Sequence, residues 1–203
     1  MGYSATKFLL LRFLIYAALI AGTFEWIVVA VGNRGAPWLV RDDGPLEMTQ
    51  FLAALATAGL FWLLSRERPR SADLLKVFAS LSLIACAREL DNFTLELGSR
   101  DAYKWIAAVP LVWSLSLILR ARERLLAQLE AFARTPGFSL LLAGFLVVVV
   151  YSQILGQKQL WLAVLDPEVY RPVKDLVEES SELLGYLLML FGAAETAAGD
   201  DRA

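Results

Sequence analysis

Six apolar stretches, at about 8–31, 46–65, 73–90, 104–120, 137–156 and 180–197, each approach the length that a bilayer demands. A helix needs roughly 20 apolar residues to cross the hydrocarbon core, where every backbone N–H and C=O must be bonded within the segment. The connections between the stretches are short and leave no room for a second domain. The chain has 203 residues, 58% of them hydrophobic, and a mean hydropathy of +0.55. A soluble domain is nearer about half apolar. The expected fold is all-α: one polytopic membrane domain over residues 1–203, a bundle of six transmembrane helices.

Lysine and arginine set orientation. The first stretch carries Lys7 and Arg12 at its front and runs to Val31 without a small-residue cleavage site, so it reads as a retained helix. The 66–76 connection holds Arg66, Arg68, Arg70 and Lys76, and the 120–134 connection holds Arg120, Arg122, Arg124 and Arg134. The other connections are poorer in basic residues, and an N-in, C-in topology in a bacterial-type inner membrane satisfies every loop. On that topology the inner side carries a net +4 and the outer side a net −6, which together give the chain's −2. Acidic residues have little influence on orientation, so their concentration on one side is independent of the topology.

Two stretches read as amphipathic. Residues 120–134 put Leu125, Leu126, Leu129 and Phe132 on one side among arginines, as an extension of the fourth helix lying against anionic headgroups. Residues 157–171 contain Trp161, Leu162, Val164, Leu165 and Tyr170, an outer interfacial composition. Trp62, Trp105 and Trp113 read as lipid anchors or partner contacts.

Carboxylates beside lipid are expensive and mark candidate sites. Glu25 lies inside the first span. Asp42-Asp43-Gly44-Pro45-Leu46-Glu47 opens the second, where helix capping accounts for Asp43 and Glu47, and Gln50 continues the polar stripe inward. Arg88-Glu89-Leu90-Asp91-Asn92 closes the third, where acids oppose the helix dipole and capping does not explain them. Asp175, Glu178 and Glu182 recur at i, i+3 and i+7 on a helix expected to start at Pro172; Glu179 sits beside the stripe and Tyr186 extends it. The dipole explains the first-turn acids but not Glu182, which lies deeper.

The expected site has Glu25, Glu89 and Glu182 as an inner shell, with Glu47, Asp91, Glu178 and Glu179 around it. Arg88 is the internal counter-charge, a partner for Glu25 or Glu182. Gathered carboxylates recruit a cation or raise one another's pKa. Glu89, Asp91, Glu178 and Glu182 could supply the oxygens that calcium or magnesium prefers, assembled from separate helices because no calcium-loop motif is present.

The chain has no histidine and one cysteine, Cys86, which excludes a His/Cys zinc site, haem ligation by histidine and an intrachain disulfide. Cys86 reads as a small core residue. The Glu-Glu pair resembles intramembrane glutamate proteases, and the spans with an acidic outer edge resemble membrane ceramidase-like hydrolases. Both families need histidines that this chain lacks. A net charge of −2 argues against nucleic acid. The leading expectation is a non-enzymatic protein that binds or conducts a cation or protons at an outward-facing carboxylate cluster. The alternatives are a metal-assisted hydrolase or transferase acting on a lipid or exported substrate, and an accessory subunit of a larger complex. The expected partners are the lipid bilayer and another membrane protein or a second copy of the chain.

Overall fold

A computed structural model of the chain describes residues 2–41, 44–90 and 102–199. It is 87% helix, and no strand occurs among the described residues. The helices are α1 (Gly2–Arg34), α2 (Ala36–Leu39), α3 (Pro45–Glu67), α4 (Ala72–Arg88), α5 (Ala102–Arg120), α6 (Arg122–Phe132), α7 (Pro136–Leu155), α8 (Lys158–Leu162) and α9 (Tyr170–Ala198). Four of them are long and apolar enough to cross a membrane: α1 over Leu10–Arg34, α3, α5 and α7. The other two expected spans are helices of different character. With 17 residues, α4 falls short of the roughly 20 that a bilayer core requires. The 29 residues of α9 begin at Tyr170, ahead of both the expected apolar run and the expected start at Pro172, and carry the acidic stripe along their first half.

Local chemistry sets the helix ends. Pro45 and Pro136 occupy first-turn positions, where a missing N–H costs nothing. Thr135 caps α7, its hydroxyl accepting from the Phe138 amide at 3.3 Å. Gly35, at φ +82°, makes the sharp break between α1 and α2. At the far end of α9, Arg68 donates to the open carbonyls of Thr196 (2.7 Å), Ala197 (3.0 Å) and Gly199 (2.6 Å), which satisfies the helix terminus and matches its dipole.

The order of packing is α7, α9, α3, α4, α5. α3 and α9 run parallel, for Gln50 meets Glu179 at one end and Arg68 meets Thr196 at the other. α7 runs antiparallel to α9 along a glycine seam in which Gly137 faces Gly192 and Gly144 faces Gly185. A Cβ on Gly144 would lie 2.5 Å from the Gly185 carbonyl oxygen, and one on Gly192 would lie 2.8 Å from that of Gly137. Each pair is two helical turns from the next. Bare backbone on both sides lets the helices approach closely, and dispersion is the main attraction left between helices in lipid. Just beyond the seam, α7 widens into a π-helical stretch, Val147–Tyr151. The wider turn shifts the register of the residues after it, and Ser152 is completely buried.

α1 leans on the rest at two places. Arg12 and Tyr16 both bond Glu195, and Tyr16 stacks on Phe191 at 4.3 Å. Toward its other end Ile27 and Ala30 pack with Leu39, Leu46 and Leu183. Its other described apolar side chains are largely exposed.

The expectation for residues 120–134 requires correction. α6 is a separate helix whose Leu125 and Phe132 are buried against Leu74 and Val77 of α4, while Leu126 and Leu129 stay exposed. Its Gln128 side chain accepts from the Leu74 amide at 2.9 Å and so supplies one missing partner at the start of α4. Trp62 and Trp113 face each other at 5.6 Å, whereas Trp105 is exposed.

The seam yields a prediction. Gly144→Ala should lower the thermal midpoint of the purified protein, at an overpacking cost of about 1–3 kcal/mol. Gly59→Ala, where a Cβ meets nothing within 4 Å, should leave it unchanged or raise it slightly. Equal midpoints for the two variants in detergent would remove the seam's role.

Candidate functional site

One end of the bundle gathers the start of α3, the close of α4, the end of α7 and the first half of α9. It is the acidic end; the opposite end holds Arg66, Arg68 and Arg70. Arg88 is the last residue of α4 and Glu89 caps it. A guanidinium nitrogen of Arg88, Nη2, donates to the Glu182 carboxylate on α9, and its Nε lies 3.5 Å from Glu89 Oε1. Glu89 in turn accepts from the Tyr186 hydroxyl at 2.6 Å. The other oxygen of Glu182 accepts from the Ser152 hydroxyl and the Gln153 amide of α7, both at 3.1 Å. Three helices therefore meet through one carboxylate.

A second set lies nearer the start of α9. The amide nitrogen of Gln50 donates to both the backbone carbonyl and the carboxylate of Glu179, each at 2.9 Å. Glu47, Glu178 and Glu182 are all close enough to act on Glu179 electrostatically. Lys174 bonds Glu178 at 2.6 Å and Asp175 at 2.9 Å, and exposed Arg171 lies 3.9 Å from Asp175. Partial burial works against the Lys174 charge, but its two carboxylate partners outweigh it and raise the pKa, so Lys174 stays cationic. Gly156 leaves the room in which the Glu178 carboxylate sits.

Burial makes these contacts matter. The side chains of Glu182 and Glu89 are 2% and 5% exposed, against 47% for Arg88. A buried carboxylate without a partner costs several kcal/mol, and Glu182 has all its oxygens engaged. The charge count is nevertheless unequal. Glu89, Asp175, Glu178 and Glu182 share three cations, Arg88, Lys174 and Arg171, and Glu179 adds a carboxylate with no ion pair among the described residues. Gln50, fully buried, has an amide oxygen with no partner among the described residues. The two acceptors on its nitrogen fix the orientation of that amide, since the flipped form would set oxygen against oxygen. The unspent hydrogen-bonding capacity here is acceptor capacity.

The expected residues fall into three groups. Glu89, Glu178, Glu179 and Glu182 come together with Arg88. Glu47 approaches Glu179. Glu25 does not join them: it sits on an exposed face of α1, and the described ion pairs of Arg88 are with Glu89 and Glu182. Asp91, Asp42, Asp43 and Asn92 lie outside the described residues. One member of the expected calcium or magnesium set, Asp91, is therefore outside them too. Among the described residues no three Cys, Asp or Glu side chains converge closely enough to hold a metal ion. The reason is visible in the pairing: Glu182 is taken by Arg88, Ser152 and Gln153, Glu89 by Tyr186, and Glu178 by Lys174.

Sequence reasoning passed over Ser152, Gln153 and Lys174. The signal for the first two was a pair of adjacent polar residues inside an otherwise apolar span. Cys86 is buried with Ala53, Ala54 and Tyr186, as a core residue should be.

Beside the network runs an apolar groove of about 390 Å³ between α4 and α7, floored by α3 and α9. Its lining includes Ala54, Ile84, Ala85, Phe145, Val148 and Met189, and Arg88 and Tyr186 also line it. Comparison with protein-family models, curated proteins and solved structures finds no match to this chain.

The unequal burial of the pair predicts unequal mutational costs. Arg88→Ala strands two buried carboxylates and should cost about 3–5 kcal/mol. Glu182→Gln leaves a half-exposed guanidinium that can turn to water, and should cost about 1–3 kcal/mol. The double variant should lose less than the sum, because the two residues interact directly. Chemical or thermal unfolding in detergent reads all three; a larger loss for Glu182→Gln would contradict this ranking.

Proposed function

We propose that this chain is a non-enzymatic multi-pass protein of a bacterial-type inner membrane. It crosses six times, with both termini inside, and its acidic end faces outward to bind or conduct a cation or protons. The six-span reading counts α4 and α9 with the four helices that are long and apolar enough to cross a membrane. α4 is short, but Arg88 at its end can extend toward water along its own stem. α9 carries charge, but its deepest carboxylate faces the bundle and is neutralised by Arg88.

The observation that carries the binding reading is the surplus of acceptors. Among the described residues the carboxylates at this end, two of them buried, outnumber the cations paired with them, and the Gln50 oxygen is buried without a donor. Such a region attracts species that bring positive charge and N–H or O–H donors. Protons, hydrated monovalent cations and small ammonium ions all fit. Arg88 then acts as a tethered cation, whose half-exposed side chain can yield Glu182 when another charge arrives.

A metal-assisted hydrolase or transferase finds part of what it needs here. An apolar cleft ends at Arg88, the partner of Glu182, whereas a converging ligand set is missing among the described residues. The cation-binding reading requires no such set.

Two measurements test the proposal. The protein in nanodiscs should gain thermal stability from tetramethylammonium, or from lowering the pH, and Glu179→Gln should abolish that gain. Glu179 has no ion pair among the described residues, so its neutralisation removes the site without stranding Arg88. A wild-type protein indifferent to pH, to alkali cations and to tetramethylammonium would overturn the reading. Orientation is read separately. A single cysteine introduced at Arg171 in a Cys86→Ala background should react with an impermeant maleimide from outside intact cells, and one at Arg70 should not.

A further inference from the structure

Two carboxylates lie at about one depth in this bundle and meet different surroundings. α1 runs antiparallel to α9, for Arg12 bonds Glu195 while Ile27 packs with Leu183. Glu25 lies two residues before Ile27, about 3 Å further in along the helix, and so sits near the level of Glu182. There Glu182 is met by Arg88, Ser152 and Gln153. Glu25 is exposed, and no hydrogen bond or ion pair reaches it among the described residues. It is also the one deep charge in the four helices long and apolar enough to cross a membrane. Every other charged residue in those spans lies within two residues of an end. Ionisable groups at such depth are held against protein or water, because lipid does not solvate them. With α1 crossing the bilayer, Glu25 requires a partner that the described residues do not supply.

The helix face around Glu25 permits close contact. Ile15, Ala18, Gly22, Glu25, Val29 and Gly32 recur at alternating steps of three and four, and all are exposed. That spacing draws one seam along the helix, of the kind through which two helices pack side by side. It lies opposite Tyr16, Ile27 and Ala30, which face the bundle. A Cβ on Gly22 or Gly32 would meet nothing within 4 Å. Glycine inside a helix weakens it relative to alanine. Along α7 and α9 the close approach of two backbones offsets that loss, whereas Gly22 and Gly32 have no such neighbour among the described residues. Small residues beside a polar one are a means by which membrane helices associate.

The carboxylate decides the occupant. A second copy meeting this seam face to face would set Glu25 against Glu25, like charge against like. The spanning helices of a second copy carry no cation at this depth either, and Arg88 is engaged with Glu182. We infer that the face of α1 turned away from the bundle docks a membrane helix of another protein. That helix carries an arginine or lysine at the depth of Glu25 and small residues at the contact. The inference rests on the multi-pass reading above and is independent of the cation site.

Disulfide trapping tests this. The protein carries Gly22→Cys in a Cys86→Ala background and is reconstituted in phosphatidylcholine nanodiscs. The probe is a synthetic single-span helix of leucine and alanine, with one central arginine and a cysteine three residues before it. Its twins carry glutamine or glutamate in place of the arginine. The arginine helix should be trapped about tenfold more than the glutamine twin, the gain expected for one polar contact between membrane helices. Glu25→Gln should remove that preference, and Glu25→Arg should transfer it to the glutamate twin. Thr23→Cys, on the side that faces α9, should trap none of the three.

Equal trapping of the arginine and glutamine helices would overturn the proposal. Trapping of the protein to itself through Gly22→Cys, in preference to the arginine helix, would overturn it in favour of a second copy. If Gly22→Cys reacts freely with a water-soluble maleimide, α1 lies outside the bilayer, and the multi-pass reading falls with the inference. If the arginine helix is refused while the responses to pH and tetramethylammonium persist, only the partner is lost and the acidic site stands.

Discussion

A carboxylate fully enclosed in a bundle of largely apolar helices is the constraint on which the rest of this structure turns. Glu182 sits near the middle of α9, where leaving it ionised and alone would cost several kcal/mol. Arg88 from α4 and Ser152 and Gln153 from α7 meet that cost together. Those partners must arrive at the right depth. The glycine seam brings α7 against α9, and the π-helical stretch sets the register in which Ser152 becomes buried. Close helix packing and polar satisfaction are therefore two parts of one arrangement.

The arrangement is not neutral. Arg88 satisfies the geometry of Glu182 and Glu89 without matching their number, and among the described residues the start of α9 adds Asp175, Glu178 and Glu179 with Lys174 and Arg171 paired to them. A purely structural ion-pair network would gain by balancing its charges, because each unmatched buried carboxylate weakens the fold. The surplus at this end, with the open acceptor on Gln50, is the observation on which the proposed binding region rests. The groove beside it shares two of its residues, Arg88 and Tyr186. The groove and the network thus meet at one point of the fold.

Much of this was readable from residues alone, and the parts that were not have physical causes. Helix positions could be drawn from hydropathy and from Pro45, since apolar length and backbone chemistry are local properties. The link between Glu89 and Glu182 was readable as a tendency, because helix-dipole arguments left both unexplained. The failure of Glu25 to join them was not readable. It depends on how α1 turns against α9, which is fixed by remote contacts at Tyr16 and Ile27. The engagement of the carboxylate oxygens was unreadable for a related reason: spacing shows which oxygens exist, while Lys174 and Ser152 decide which oxygens are already used. For α6, periodicity identified the amphipathic helix but not that Leu125 and Phe132 would turn toward α4.

If the acidic end holds carboxylates with acceptor capacity to spare for an external cation, those carboxylates must respond when one arrives. Infrared difference spectroscopy on oriented films of the protein, with and without tetramethylammonium, reads them directly. A carboxyl band should shift on cation addition and disappear from the difference spectrum in Glu179→Gln. A difference spectrum without carboxyl bands in the wild-type protein would contradict this and leave Arg88 and Glu182 as a structural pair alone.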